Sequence, residues 1–554
     1  MTRRVRENEG HTYAGRWVAR VRGKVVAQGE SREMAYDAAR ALRPKEKKIE
    51  VLLMSPIFDH SLMKTVQSVL PANQPLYLVG GALRDSLMGR ENHDLDFAVP
   101  SGAMKLARSI ANQLAGSFFP LDEATDTARV ILPRADGGRD TLDFAGFRGP
   151  DLEADLRGRD FTVNALALDV HTGEMIDPLG GAHDLREKRI RACAETSFSD
   201  DPLRILRAVR QAAAFGFSIQ LETRHLMKLA APLLQNTSPE RQRDELFKIL
   251  EGPRPDAAIR ALGLLGVLPV LLPELLALKS VKQGGRHIHD VWTHTLRVLH
   301  HLENILAVLE KEKLRQEAAY FANPFDGLLV QHLGRYAEQI SQHFVLSLNT
   351  DRSVRSLLFF AALYHDIAKP QCRALDDSGR VRFLGHEEKG APIVVKRGIA
   401  LRLSNDELDR LKLVVLHHMR IHGLTTLKAE GKKVSRKAIY RFFRDVGPAG
   451  VELVLLVLAD TRGTSEDTLE PEYWACCLEV CAELLEAWFE RAPEIVAPPQ
   501  LLNGNDLMRE LKMPSGRALG ELLELIREEQ AAGQVSTREE ALGFARAWLA
   551  RPKA

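Results

Sequence analysis

Apolar and polar positions change their period along this chain. Between residues 75 and 185, short apolar runs at 76–79, 95–99, 128–132, 141–145 and 165–170 alternate with stretches of helical spacing. That alternation predicts strands and helices sharing one sheet domain. Beyond Asp184 the strand signals fade, and a helical period takes over, as in Leu203-Leu206-Val209 and Leu246-Ile249-Leu250. Ahead of the sheet region, 17–21 and 25–27 read as a strand pair joined near Gly23. Ser31 then caps a predicted helix that runs to Leu42 and stops at Arg43-Pro44. The pattern predicts an α+β chain: a small ββα module over 1–50, a sheet head over 55–185 and a long helical body.

At about 150 residues per domain, 554 residues imply three to five domains. With 45% apolar and 27% charged residues the composition is that of a globular protein, which excludes disordered and collagen-like readings. Charge is nearly balanced, 76 Lys/Arg against 74 Asp/Glu, but the first 50 residues hold 13 against 7. That basic end favours a polyanionic partner. Cys193, Cys372, Cys476, Cys477 and Cys481 form no CxxC pair or zinc spacing, so they read as reduced thiols in a cytoplasmic protein. No membrane segment is expected: the longest uncharged apolar stretch, 261–273, is too short and is broken by Pro269 and Pro273. The Arg-rich start has no apolar core behind it, and no secretory signal is read there.

Chemistry enters at Leu78-Val79-Gly80-Gly81-Ala82-Leu83-Arg84-Asp85. Two glycines where a buried strand gives way to a helix let the backbone approach a phosphate, and Arg84 is expected to add a cation. The segment is neither GxGxxG nor a Walker loop. Ten residues on, Asp94-Leu95-Asp96 places both carboxylates on one side of a strand, a pair that needs a cation such as Mg²⁺ between them. Asp143, on another predicted strand, could complete a two-metal set for phosphoryl transfer.

These residues resemble the first motif of class II tRNA nucleotidyltransferases, the CCA-adding enzymes and their poly(A) polymerase relatives. Further pieces follow in the family's order. Gly158-Arg159-Asp160-Phe161-Thr162-Val163-Asn164 resembles the second motif, implying that Arg159, Asp160 and Asn164 contact the nucleotide. Asp177-Pro178-Leu179-Gly180-Gly181 with Asp184 resembles the hinge. Asp200 to Arg210 resembles the base-reading motif, and Ser238-Pro239-Glu240-Arg241 with Glu245 the fifth. In the fourth, Asp201, Arg204, Arg207 and Arg210 recur every three residues along a helix, offering acceptors and donors that imitate a base-pairing edge. The chain departs from the family at Gly158, where an Arg is usual, and at Asp200, where a Glu is usual. Asp126-x-x-Arg129 falls where the family carries a mobile loop that switches from C to A addition, which argues for complete CCA synthesis. The basic stretch expected of a poly(A) polymerase after the acid pair is missing at 100–105.

In the body, His294, the pair His365-Asp366 and the distal Asp460 resemble the ligands of an HD phosphohydrolase domain, with His386 and His417 or His418 (His418 preferred) extending the set to a second metal. Imidazole with carboxylate suits Mn, Ni, Fe or Zn better than Mg. His287, His289 and Asp290 are expected to cap the helix of His294. The resemblance spans about 55–550 and implies a polymerase-β-like nucleotidyltransferase head followed by an all-helical body, divided into a neck over 186–280 that binds the nucleotide base and RNA, an HD domain over 281–470 and a helical tail over 471–554. The implied activity is template-independent addition of CMP and AMP, from CTP and ATP, to tRNA 3′ ends. The alternatives are a poly(A) or A-only polymerase, an HD phosphohydrolase whose head binds RNA, and a non-catalytic RNA-binding protein. Oligomeric state and the role of residues 1–50 are not readable.

Overall fold

The computed structural model describes residues 16–22, 24–53, 61–90, 92–314, 323–349 and 352–550. The chain divides into two units, Met1–Leu233 and Leu234–Ala554.

In the first unit a three-stranded sheet is built from β1 (Trp17–Val21), β2 (Lys24–Gly29) and β3 (Glu50–Leu53), ordered β2-β1-β3 and antiparallel throughout. Ser31 caps the helix Arg32–Leu42 as expected, accepting from Met34 N at 3.1 Å, and Ala35 and Ala39 bury its inner stripe. Gly23, the expected joint, lies outside the described residues. β3 was not anticipated: it occupies the end of a stretch whose lysines and glutamates read as a linker.

The main sheet holds β4 (Tyr77–Val79), β5 (Asp94–Val99), β6 (Ser117–Asp122), β7 (Thr127–Pro133), β8 (Arg139–Gly146), β9 (Ala167–Asp169) and β10 (Met175–Ile176). Their order is β10-β9-β4-β5-β8-β7-β6, and only β5 and β8 run parallel. Along β5 the side chains divide by parity. Leu95, Phe97 and Val99 enter a core shared with Leu142, Phe144 and the helix Ala103–Gln113, and the Phe97 and Phe144 rings stack at 5.1 Å. Asp94, Asp96 and Ala98 take the opposite face. There Val79, Ala98, Leu156, Ala165 and Ala167 form a second, smaller apolar cluster.

The second unit is helical. Val354–Tyr364 and Ala449–Ser465 are buried on nearly every side, which is why their sequences are apolar all round rather than striped. Val291–Leu314 packs along Ala449–Ser465, and His386–Ala400 lies against Asn405–His417. Gly463 permits the first of these approaches: a Cβ there would stand 3.1 Å from Val298 Cγ2 and 3.2 Å from Val298 N. The stretch 303–355, expected to be helical throughout, also contains a small hairpin, Ser347–Asn349 with Arg352–Ser353. Among the described residues no helix is long and apolar enough to cross a membrane.

Candidate active sites

Sheet register assembles the first site. Val79 pairs with Asp96, Asp96 with Asp143 and Asp143 with Arg129, so one row crosses four strands. Gly80 follows at the end of β4 with φ +77°, and a Cβ there would meet Asp96 Oδ2 at 3.2 Å and Arg159 Nη1 at 3.4 Å. The glycine corner, the acid pair and Arg159 therefore converge, with Asp94 two residues before Asp96 on the same face. Burial, the charge of Asp143 and, more weakly, that of Asp94 push the Asp96 carboxyl up to about 6, against the pull of Arg159 and Arg129. Its side chain nevertheless stays open to solvent on the cleft side.

Asp143 is held bidentately by Arg129, Nε–Oδ1 and Nη2–Oδ2 both 2.8 Å. Among the described residues, Asp94, Asp96 and Asp143 are not one of the groups whose ligand atoms all lie within 4.8 Å of one another.

Several residues expected to bind nucleotide are engaged by the protein's own side chains and carbonyls. Arg84, expected to face the phosphates, is buried. It donates to Asn164 Oδ1 at 2.6 Å and to Asp85, and its guanidinium lies 4.4 Å from the centre of the Phe215 ring. Its cationic place beside Gly80 is taken by Arg159, which Asp155 pins at 2.9 Å. Asn164 donates to Asp160 (2.9 Å) and Gln211 (3.1 Å), and Asp160 accepts from Arg207 at 2.9 Å. Burial alone would raise the Asp160 carboxyl, but Arg207 and Asn164 outweigh it and hold it below the usual range. Arg204 donates to the carbonyls of Gly158 and Arg159 at 2.9 and 3.2 Å, while Asp201 accepts from Leu203 N at the entry to Arg204–Phe215. Arg207 and Arg210 are half-buried on that helix. Gly181 is where the hinge motif acts sterically, since a Cβ would fall 2.0 Å from the Thr162 carbonyl oxygen.

The Asp126-x-x-Arg129 segment begins in the turn between β6 and β7 and runs into β7. Asp126 accepts from Ala103 N (2.7 Å) and Met104 N (3.0 Å), capping Ala103–Gln113, and Arg129 belongs to β7.

The second site lies in the helical unit. His294 comes from Val291–Leu314, His365-Asp366 end Val354–Tyr364, His386 opens its helix, His418 follows Asn405–His417, and Asp460 sits in Ala449–Ser465. All six are buried. Two groups have ligand atoms within 4.8 Å: His294, His365 and Asp460, and Asp366, His386 and His418. Asp366 bridges them, its Oδ2 3.2 Å from His365 and 3.5 Å from His294 and its Oδ1 3.3 Å from His386. His418, not His417, completes the set.

Three imidazoles have their tautomer set. His365, His386 and His418 donate Nδ1–H to the carbonyls of Ala362 (2.7 Å), Phe383 (2.7 Å) and Val415 (2.8 Å), which turns each Nε2 toward the centre. His386 Nε2 and His418 Nε2 then face one another at 3.1 Å. Burial, with His365 and His386 beside it, pushes the His418 pKa down to about 3. Two ring nitrogens at that distance must share a proton or a metal ion, since two bare lone pairs would repel. His294 Nε2, His365 Nε2 and Asp366 Oδ2 are buried without a well-formed hydrogen bond, the condition of metal donors.

Two participants escaped the sequence reading. His422 donates to Asp460 at 2.7 Å, and its signal was the four-residue spacing from His418. Lys369, three residues after Asp366, lies 2.7 Å from it. Asp290 caps the helix of His294 as expected, accepting from Thr293 N at 2.7 Å. A cleft of about 650 Å³ opens onto Asp366, His386 and Asp460, and its wall carries Arg286, Lys369, Arg380 and Arg382.

Comparisons with known proteins agree with this division. Residues 76–191 match the poly A polymerase head domain, 216–278 the probable RNA and SrmB-binding site of polymerase A, and 328–461 the HD domain. His294 lies before the last of these. The chain is 33% identical over 480 residues to the A-adding tRNA nucleotidyltransferase of Deinococcus radiodurans, covering 85% of this chain and 95% of that one. It is 33% identical over 479 residues to the CC-adding tRNA nucleotidyltransferase of Thermus thermophilus, covering 85% and 93%. Among solved structures, the Thermotoga maritima CCA-adding enzyme complexed with tRNA shares the fold, with a TM-score of 0.52 at 23% identity over 88% of this chain and 99% of that one.

Proposed function

The chain belongs to the tRNA nucleotidyltransferase family, and from that premise we propose that it transfers CMP and AMP from CTP and ATP onto tRNA 3′ hydroxyls to build the CCA end. The observation that carries the reading is the row from Gly80 through Asp96 and Asp143 to Arg129, with Arg159 beside it. The unrelieved crowding that raises Asp96 fits a bound dication. Asp94, Asp96 and Asp143 would hold Mg²⁺, which activates the attacking hydroxyl and neutralises the triphosphate. The protein's own contribution is positional. Gly80 and Gly81 let the phosphates lie on the backbone, and Arg159 supplies a fixed cation. Arg207, pinned by Asp160, joins Asp201 and Arg210 in reading the base edge, while Arg84, Asn164 and Arg204 brace that apparatus through their hydrogen bonds.

The test is incubation of tRNA lacking its terminus with each labelled triphosphate. Wild type incorporates C and A, and Asp94→Ala or Asp96→Ala lowers the rate by at least about 10³-fold. Incorporation of neither nucleotide refutes the reading. A without C or C without A narrows it to the specificity named for one of the two relatives, and unlimited A tails make the protein a poly(A) polymerase.

A second reading is favoured by the opposed His386 and His418 nitrogens: the helical unit is also a metal-dependent phosphoester hydrolase. His294, His365 and Asp460 would hold one ion and His386 and His418 another, with Asp366 between them. This donor set suits Mn, Ni, Fe or Zn, which would supply activation of the hydrolytic water when bound. Arg286, Arg380 and Arg382 give the cleft the charge to take an anionic ester, and Lys369 fixes the bridging carboxylate. Hydrolysis of a chromogenic phosphodiester is expected to vanish in His365→Ala and to survive Asp94→Ala. Survival in His365→Ala overturns it.

A further inference from the structure

Residues 16–53 lie outside the matched family segments, and they carry a charge distribution that neither active site uses. Ten Lys/Arg stand there against five Asp/Glu. Strand direction sorts them. β1 begins, β2 ends and β3 ends at the same edge of the small sheet, where Trp17 pairs with both Gly29 and Leu53. That edge meets the head: Trp17 packs against the head's core, and Arg186 Nη2 donates at 2.7 Å to the Glu30 carbonyl. The helix Arg32–Leu42 starts at this edge and runs back, so its end, the β1–β2 turn and the start of β3 all fall at the opposite pole.

That pole collects Arg22, Lys24, Arg43, Lys45, Lys47 and Lys48, all exposed, with Glu46 and Glu50 as the nearby acids. Arg22 pairs with Glu46 at 3.1 Å and Lys48 with Glu50 at 3.1 Å. Lys24, Arg43, Lys45 and Lys47 have no carboxylate partner among the described residues. Arg40, donating to the Glu46 carbonyl at 2.7 Å, ties the helix end to the following loop and keeps the cations on a fixed frame.

We propose that this basic pole holds the phosphate backbone of tRNA, extending the binding surface away from the nucleotidyltransferase site. The proposal rests on the reading that tRNA is the substrate. Unpaired cations on long stems suit a regularly spaced polyanion and read no base edge, so the contact is independent of sequence. An anionic membrane is the poorer fit. The helix spends its apolar stripe, Ala35 and Ala39, on the sheet, and Leu42 alone at the pole offers no inserting face.

The test compares full-length wild type with the triple variant Lys24→Gln, Lys45→Gln, Lys47→Gln, measuring tRNA binding by fluorescence anisotropy across a salt series. The variant is expected to bind roughly tenfold more weakly near physiological salt, with a log Kd–log[salt] slope shallower by about 2 to 3 units. Arginine at the same three positions restores both values. An unchanged Kd and slope, or failure of the arginine variant to rescue, overturns the proposal. So does wild-type binding to vesicles of phosphatidylglycerol and phosphatidylcholine that depends on these lysines while tRNA binding does not. Because binding is read directly, absence of nucleotide incorporation with intact tRNA binding would refute the enzymatic reading alone.

Discussion

Gly80 shows how little room the first site has. Its backbone sits at φ +77° and a methyl group would stand 3.2 Å from Asp96 Oδ2. Gly80→Ala therefore pays in both conformation and geometry. We expect about 1–2 kcal/mol of lost stability by thermal unfolding, and a fall of roughly 10²-fold in kcat/KM for nucleotide addition as Asp96 is displaced. Asp96 itself sets function against stability. Its folded pKa, about 6, lies above the 3.8 of an unperturbed aspartate, so the metal-free folded state binds the proton more tightly. Stability from this group is then present below pH 4 and lost as pH rises to 6. Because the side chain is solvent-exposed, the effect is screened to ~1 kcal/mol. Asp96→Asn is expected to raise the melting temperature of metal-free protein at pH 7.5 while abolishing addition, and equal melting temperatures at pH 7.5 would contradict the shift. The corner and the acid pair were legible in sequence because each is local. The destination of Arg84 was not, since Asn164, 80 residues away, and Phe215 decide it through folding.

Elements were readable where one face differs from the other. β5 alternates acid and apolar residues and was found; β7, β8 and β9 were found from apolar runs flanked by turns. β6 was missed because Ser117–Asp122 is exposed at nearly every position and contains Pro120, as an edge strand tolerates. β10, two residues long, carries too little pattern to register. The helices bearing His365 and Asp460 were legible as helices but not as neighbours, because an all-apolar sequence does not say which side meets which partner. Gly463 supplies that information sterically. Gly463→Ala pushes Ala449–Ser465 off Val291–Leu314 at Val298, close in sequence to His294 on one helix and Asp460 on the other. We expect a destabilisation of about 1–3 kcal/mol together with loss of metal from the helical unit by elemental analysis. Full metal retention would show that the helices absorb the methyl group elsewhere.

At the scale of the molecule, the chain carries two candidate metal sites built from different donors. The head offers carboxylates alone, on the central strands β5 and β8; the helical unit offers four buried imidazoles and two carboxylates, three of the rings fixed by carbonyls. Oxygen donors suit a hard ion that exchanges quickly with its hydrate, whereas imidazoles hold first-row transition metals more tightly. The two centres should therefore separate under chelation. Prolonged dialysis against a strong chelator, followed by Mg²⁺ alone, is expected to restore nucleotide addition fully while phosphodiester hydrolysis stays below roughly a tenth of its starting rate. Subsequent Mn²⁺ or Ni²⁺ restores hydrolysis. The same treatment should lower the melting temperature of the helical unit, because removing cations leaves His386 Nε2 and His418 Nε2 opposed at 3.1 Å. His386→Ala or His418→Ala relieves that opposition, so in either variant the drop on chelation is expected to be smaller than in wild type. If the drop is undiminished, the facing nitrogens are satisfied by a proton rather than by a metal, and the second ion of this centre does not exist.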